Sequence, residues 1–175
     1  MGNILQRNSP KEPDVPTPQI TALTPDEVDI IKATWKIPSA NAFDSAETIL
    51  YTFLERFPEH QPKFSFRDVP LSDLKGTPGF RNHASKIFNV FSSVVDALDR
   101  DPDYMGIKRI LAEIGKFHAK KKITKKSQND LRSVVVDILT DVCKLDEQGK
   151  IAWTKLLDIF FHVIFECLDG RADQF

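Results

Sequence analysis

Two histidines, His83 and His118, are the residues of this 175-residue chain whose placement most invites chemistry. Each falls on an apolar stripe of helical period: Phe80, His83, Ala84, Ile87, Phe88 and Phe91 on one, Ile107, Ile110, Leu111, Ile114 and His118 on the other. Midway between them, Asp99-Arg100-Asp101-Pro102-Asp103 breaks the helix. Folding back at that turn brings the two imidazoles toward one another across a cleft. A neutral imidazole binds a metal through one ring nitrogen while the other donates to a carbonyl that fixes the tautomer. A second imidazole, facing the first, can donate to a polar ligand held between them. Such a charge-assisted bond is worth about 1.5–3 kcal/mol, or about one to two decades in off-rate.

A lone histidine on an apolar helix face is ordinarily a hydrogen-bonded core residue; it is the matching of two across one turn that favours ligation. Other metal chemistries lack their residues. A carboxylate-bridged di-iron bundle needs Glu-x-x-His pairs, but the residues three before His83, His118, His162 and His60 are Phe80, Gly115, Ile159 and Phe57. Neither cysteine has a partner at zinc-ligand spacing. There is no nucleophile elbow and no glycine-rich phosphate loop. His60 follows a proline break and is expected in solvent, whereas His162, between Phe161 and Val163, is expected to pack with one nitrogen satisfied. A flat, apolar, metal-bearing ligand suits the His83–His118 cleft, and haem is the leading candidate.

The elements that must hold this pair follow from the hydrophobic period. Thr24-Pro25-Asp26-Glu27 is a capping box that starts a helix carrying Val28, Ile31 and Trp35 as far as Pro38. A second helix, from Ala42 to Arg56, presents Phe43, Ala46, Ile49, Leu50, Phe53 and Leu54 on one broad face. A short third begins at Pro58 and gives way to the irregular aromatic stretch Lys63-Phe64-Ser65-Phe66; residues 71–79, with Gly76, Pro78 and Gly79, form a linker. Beyond the two histidine helices lies a lysine-rich connection, then stripes of Leu131, Val134, Val135, Ile138, Leu139 and Val142 and of Ile151, Trp153, Leu156, Leu157, Phe160, Ile164 and Leu168. No run alternates convincingly with period two, so the expected class is all-α, with about seven helices in one domain.

Composition narrows the functions. A formal charge of -1 gives no electrostatic reason to expect nucleic acid as a partner. No apolar run reaches the roughly 18 residues that would span a bilayer, and the start lacks a secretory stretch, so a soluble, cytoplasmic protein is expected. Residues 1–22 hold four of the eleven prolines and little apolar periodicity, and read as a disordered tail ahead of a domain at 23–170, with 171–175 a short C-terminal tail. Gly2 after Met1 is a weak candidate for N-myristoylation, because Gln6 stands where Ser or Thr is wanted and no second anchoring signal lies nearby. Cys143 and Cys167, on consecutive antiparallel helices, would lie on the order of 24 Å apart, too far for a bridge, and are expected as free thiols.

As an ordered set, these features resemble the globin family over nearly the whole chain beyond the tail. The carrying residues are Trp35, Leu50, Pro58, Phe64, then Phe80-x-x-His83-x-x-x-Ile87, then Leu111-x-x-Ile114-x-x-x-His118. The stretch FRDVPLSDLKGTPGFRNHA, residues 66–84, is most similar to invertebrate intracellular globins of the neuroglobin and cytoglobin-like group. The resemblance implies a globin fold, a three-over-three helical sandwich around haem b, iron protoporphyrin IX. It further implies His118 as proximal iron ligand, His83 as distal residue and Phe64 stacked on the porphyrin, with Leu50 and Ile87 shaping the ligand pocket. Lys86 and Lys122 would meet propionates, and Ile114 and Ile123 would touch the cofactor.

The implied function is reversible binding of dioxygen and other diatomic gases, carbon monoxide and nitric oxide among them, with His83 a candidate sixth ligand when no external one is present. The alternative is a redox enzyme at the same iron, a nitric oxide dioxygenase or nitrite reductase. Such an enzyme would need an external reductase, since 175 residues leave no room for a fused flavin domain, and the chain therefore favours binding as the primary role. The lysines at 116, 120, 121, 122, 125 and 126 read mainly as a solvated edge.

Overall fold

A computed structural model describes residues 14–175. Six helices, α1 (Pro25–Ser39), α2 (Ala42–Arg56), α3 (Pro78–Ala97), α4 (Met105–Lys120), α5 (Lys125–Cys143) and α6 (Glu147–Leu168), are joined by 3-10 turns at Pro58–Lys63 and Leu71–Asp73 and followed by one at Ala172–Gln174. The described residues contain no strand. The helices form two layers of three, α1, α3 and α4 over α2, α5 and α6; α2 packs across α3 and α6 across α4.

Local signals start the helices where the side chains demand it. Thr24 and Glu27 close the capping box of α1, Thr124 caps α5 through the Ser127 amide and Asp146 caps α6 through that of Gly149. Helix α1 runs through Pro38 to Ser39, slightly past the expected stop. A proline there removes only one donor, and the carbonyl of Thr34, which that donor would have served, accepts from the Cys143 thiol at 3.5 Å.

The core that fixes the layers is aromatic. Trp35 stacks on Phe88 with centroids 4.9 Å apart and donates to Ser92 Oγ, while Trp153 donates to Thr34 Oγ1 at 2.9 Å; α1, α3 and α6 are thereby locked to one another. At the α4–α6 crossing Gly115 lets the backbones close together, since a Cβ built there would lie 2.6 Å from that of Cys167. Both cysteines are free and buried.

Four residues assigned to inward stripes point outward instead. Phe43 lies in a first turn and Val142 in a last turn; Ile151 lies on the outer side of α6, whose buried stripe there runs through Gly149, Ala152, Trp153 and Leu156; Ile110 lies at the margin of α4, whose buried stripe of Ile107, Leu111 and Gly115 is narrow because α4 packs chiefly on α6. The terminal segments are more engaged than their composition suggests. Residues 14–22 have no regular structure, yet Val15 and Ile20 pack on the core, and His162 Nδ1 lies 2.8 Å from the Pro18 carbonyl oxygen. After α6, Arg171 pairs with Glu166, and Ala172 and Phe175 return to the core. Gly2 lies outside the described residues.

Candidate functional site

The position of α3 is set from its start: Glu47 of α2, itself buried, accepts from the Gly76 amide at 3.3 Å and from Arg81 Nε at 3.0 Å. This salt bridge lies two residues before His83 and fixes the first turns of α3. Helix α4 is anchored where Asp101 Oδ2 accepts from the Ile107 amide at 2.8 Å and where Tyr104, in a left-handed conformation with φ 56°, accepts at its hydroxyl from the Leu23 amide. Its other end turns tightly, with Lys122 at φ 54° and the Ile123 amide donating to the His118 carbonyl at 3.0 Å. That turn swings Ile123 back toward the histidine.

Between these helices lies a cavity of about 590 Å³, within the usual range for small-molecule and cofactor sites. Leu50, Phe64, His83, Lys86, Ile87, Ile114, His118 and Ile123, all singled out from the sequence, line it. Lys122 does not; Lys121 lines the cavity in its place, its ammonium over the Phe117 ring. Most of the remaining wall is apolar, with Phe91 and Phe160 stacked at 4.6 Å; Lys63, Lys86 and Lys121 add positive charge, and His60, Ser65, Glu113, Ser127 and Gln128 are polar exceptions. Phe53, Val90, Phe91, Leu131, Phe160 and Ile164 also contribute. Helical spacing could have found them as wall residues: Phe53 is one turn from Leu50, and Val90 is two turns from His83.

Both imidazoles are held uncharged at neutral pH. Burial, helped by His118 and then by the Lys86 ammonium, brings His83 down to about 4, and burial lowers His118 as well. The Phe64 ring meets His83 edge-on at 4.7 Å between centroids and stacks on Phe66. His118 Nδ1 is fully buried without a hydrogen-bond partner among the described residues. A buried, unpaired ring nitrogen in an apolar cavity is costly unless something uses the imidazole, and a neutral imidazole is the form that ligates iron. Apolar walls, two neutral imidazoles and nearby ammonium groups fit haem in donor set, polarity and size.

His60 corrects the expectation of a solvated ring. It is 7% exposed, stacked on Phe53 at 5.2 Å and bonded through Nε2 to Asp130 Oδ2 at 2.8 Å, and it lines the same cavity. The proline before it starts a 3-10 turn that folds inward instead of ending in a surface loop.

Residues 47–164 match the globin family model. The chain is a globin. It is 32% identical to globin CTT-IIIA of Chironomus thummi thummi over 89% of this chain and 98% of that protein. Among solved structures it is similar to a Drosophila melanogaster globin, with 40% identity, a TM-score of 0.79, and 82% of this chain and 94% of the other covered. It is equally similar to a hexa-coordinate haemoglobin of Drosophila melanogaster, with 39% identity and a TM-score of 0.81 over 86% and 98% of the two chains. The chain thus has the haem-binding fold of a family that binds diatomic gases. No described helix of this globin is long and apolar enough to cross a membrane.

Proposed function

We propose that this globin holds haem b between α3 and α4, with His118 as proximal ligand and His83 on the opposite side, and binds dioxygen, carbon monoxide and nitric oxide reversibly. The observation that carries this reading is the pair of neutral imidazoles, one from each helix, lining a single apolar cavity. When bound, the iron supplies the site at which a diatomic gas is held. His118 supplies a neutral nitrogen from the helix that Gly115 presses onto α6. Phe64 and Ile87 keep water out and limit the space around His83. Lys86, Lys121, Ile114, Ile123 and Leu50 line the cavity; in this reading the two lysines would pair with propionates, the isoleucines would touch the porphyrin, and Leu50 would bound the gas pocket.

His83 also serves, in this reading, as an endogenous sixth ligand, a state that the name of the Drosophila haemoglobin ascribes to that protein. Its neutral form supports the role, because protonation would remove the lone pair. Competition of this kind reduces gas affinity in proportion to the open fraction: about 1% open weakens apparent binding about 100-fold. The absorption spectrum of the deoxygenated ferrous protein tests it. Sharp, split low-spin bands that revert to a broad five-coordinate band in His83→Leu are expected; a broad band already in the unsubstituted protein overturns the sixth-ligand role.

A further inference from the structure

The lysines around His118 divide by partner. Lys116 pairs with Glu113, Lys125 with Asp169, and Lys126 with Asp130 and Glu59. Lys120, Lys121 and Lys122 are exposed and meet no carboxylate among the described residues. The same holds for Lys63, just before Phe64, and for Lys86 on α3. Lys63, Lys86 and Lys121 also line the cavity. A side chain that both lines a cavity and faces solvent marks its mouth, so three segments bring unneutralised ammonium groups to one opening. Glu113, a carboxylate on the lining, is already engaged by Lys116 at 3.0 Å.

Phe117 stands in the same mouth. It lines the cavity, is 57% exposed, and has the Lys121 ammonium 5.8 Å from its ring centroid. A single exposed aromatic is ordinary, but one ringed by unpaired cations has the anatomy of a small docking face, an aromatic centre within a charged rim. The whole chain carries a formal charge of -1. Gathering five unpaired lysines at one mouth therefore makes its field dipolar and turns that mouth toward anions. Because the lysines frame a concave opening, its shape receives a convex protein patch and does not lie flush on a bilayer.

We propose that this mouth is the docking face for an acidic one-electron carrier protein, which reduces ferric haem in the cavity to the ferrous state. The inference rests on haem being held there, as proposed above. One electron passes from the carrier's reduced cofactor to the ferric iron, the carrier is oxidised by one electron, and no proton or covalent bond is transferred. Charge steers the carrier to the mouth, and Phe117 supplies apolar contact once it arrives. Interfaces of this electrostatic kind are small and transient, so the partner leaves after transfer. Lys120 and Lys122 do not line the cavity, and they act on the partner alone.

Stopped-flow absorbance follows reduction of the ferric protein by an acidic plant-type ferredoxin and, separately, by hexaammineruthenium(II), a small cation that needs no docking face. The parent's rate constant with ferredoxin should fall steeply as salt screens the charges. Lys120→Glu/Lys122→Glu should lower it about tenfold at low salt without slowing the ruthenium reaction. Lys36→Glu/Lys144→Glu makes the same change in net charge at the far end of α5, where the Cys143 thiol meets the Thr34 carbonyl, and should have little effect on the ferredoxin rate. Equal ferredoxin rates in all three chains, equal losses in both variants, or a mouth variant slowed as much toward ruthenium overturn the proposal. So does a mouth variant that loses only its binding to phosphatidylserine vesicles, which would assign the face to a membrane. A parent that takes up no haem and shows no Soret band fails the haem reading. Salt-dependent binding of oxidised ferredoxin, followed by NMR chemical shifts and lost in the mouth variant alone, then decides the docking face separately.

Discussion

Replacing Gly115 by alanine tests how the proximal helix is seated, because two effects of opposite sign compete there. Glycine to alanine inside a helix should stabilise by about 1 kcal/mol from propensity alone. Against this, the new Cβ would sit 2.6 Å from Cys167 Cβ, 2.9 Å from its Sγ and 3.3 Å from Ile164 Cα, and the last of these is backbone that cannot rotate away. Overpacking of a closed core costs about 1–3 kcal/mol, and contacts this short on two fronts put Gly115→Ala at the upper part of that range. The net expectation is a loss of about 1–2 kcal/mol, read as a melting temperature lower by about 2–4 °C per kcal/mol for a chain of this size. Since α4 must move off α6 to relieve the contact, and His118 lies three residues further on, haem should also dissociate faster. Thermal and urea melts of the apoprotein, with haem transfer to an acceptor protein, measure both. A double-mutant cycle with Cys167→Gly should return a coupling of about 1–2 kcal/mol. An alanine variant more stable than the parent, with unchanged haem loss, would refute the close α4–α6 approach.

The remaining expectations are narrower. His83 has its folded-state value near 4 against an ordinary 6.5, so the unfolded chain is the better proton acceptor and stability, full above about 6.5, is lost as pH falls toward 4. At 1.36 kcal/mol per pH unit, the advantage of His83→Leu apoprotein over the parent should grow by up to about 3 kcal/mol between pH 7 and 4; a difference flat with pH in urea melts contradicts it. Asp130→Ala strips the buried His60 of its partner and should cost about 1–3 kcal/mol in the same assay, where a change under half a kcal/mol would argue against the pair. Thr24→Ala removes the capping box of α1 and should cost about 1 kcal/mol, checked by the shift in urea midpoint at unchanged slope.

Much of this architecture was legible because helical periodicity and caps are local. Thr24, Pro58 and the Asp99 to Asp103 run marked ends that the structure keeps, and the apolar stripes around His83 and His118 already placed both rings inward. Less legible was anything decided by which helix faces which. Phe43 and Val142 fit their stripes yet are exposed at helix ends, since periodicity does not say how far a neighbouring helix extends, and Ile151 lies off the stripe of Gly149, Ala152, Trp153 and Leu156 that α6 buries. His60 looked solvated because its partners, Phe53 and Asp130, come from two other helices. Gln128 sits one turn before Leu131 and two before Val135, so its inward position was readable from helical spacing. Likewise the short turn after α4 puts Lys121 on the cavity wall and Lys122 outside it, a choice fixed by one left-handed residue.

In the function proposed above, His118 supplies the axial nitrogen of a haem held in this cavity. That assignment is tested most directly by the absorption and resonance Raman spectra of the ferrous protein beside His118→Gly, with and without added imidazole. One haem per chain with a histidine-ligated spectrum is expected in the parent, with loss of that axial ligation in the variant and its return when imidazole fills the vacated space. A variant that keeps the parent's proximal ligation without imidazole would contradict it.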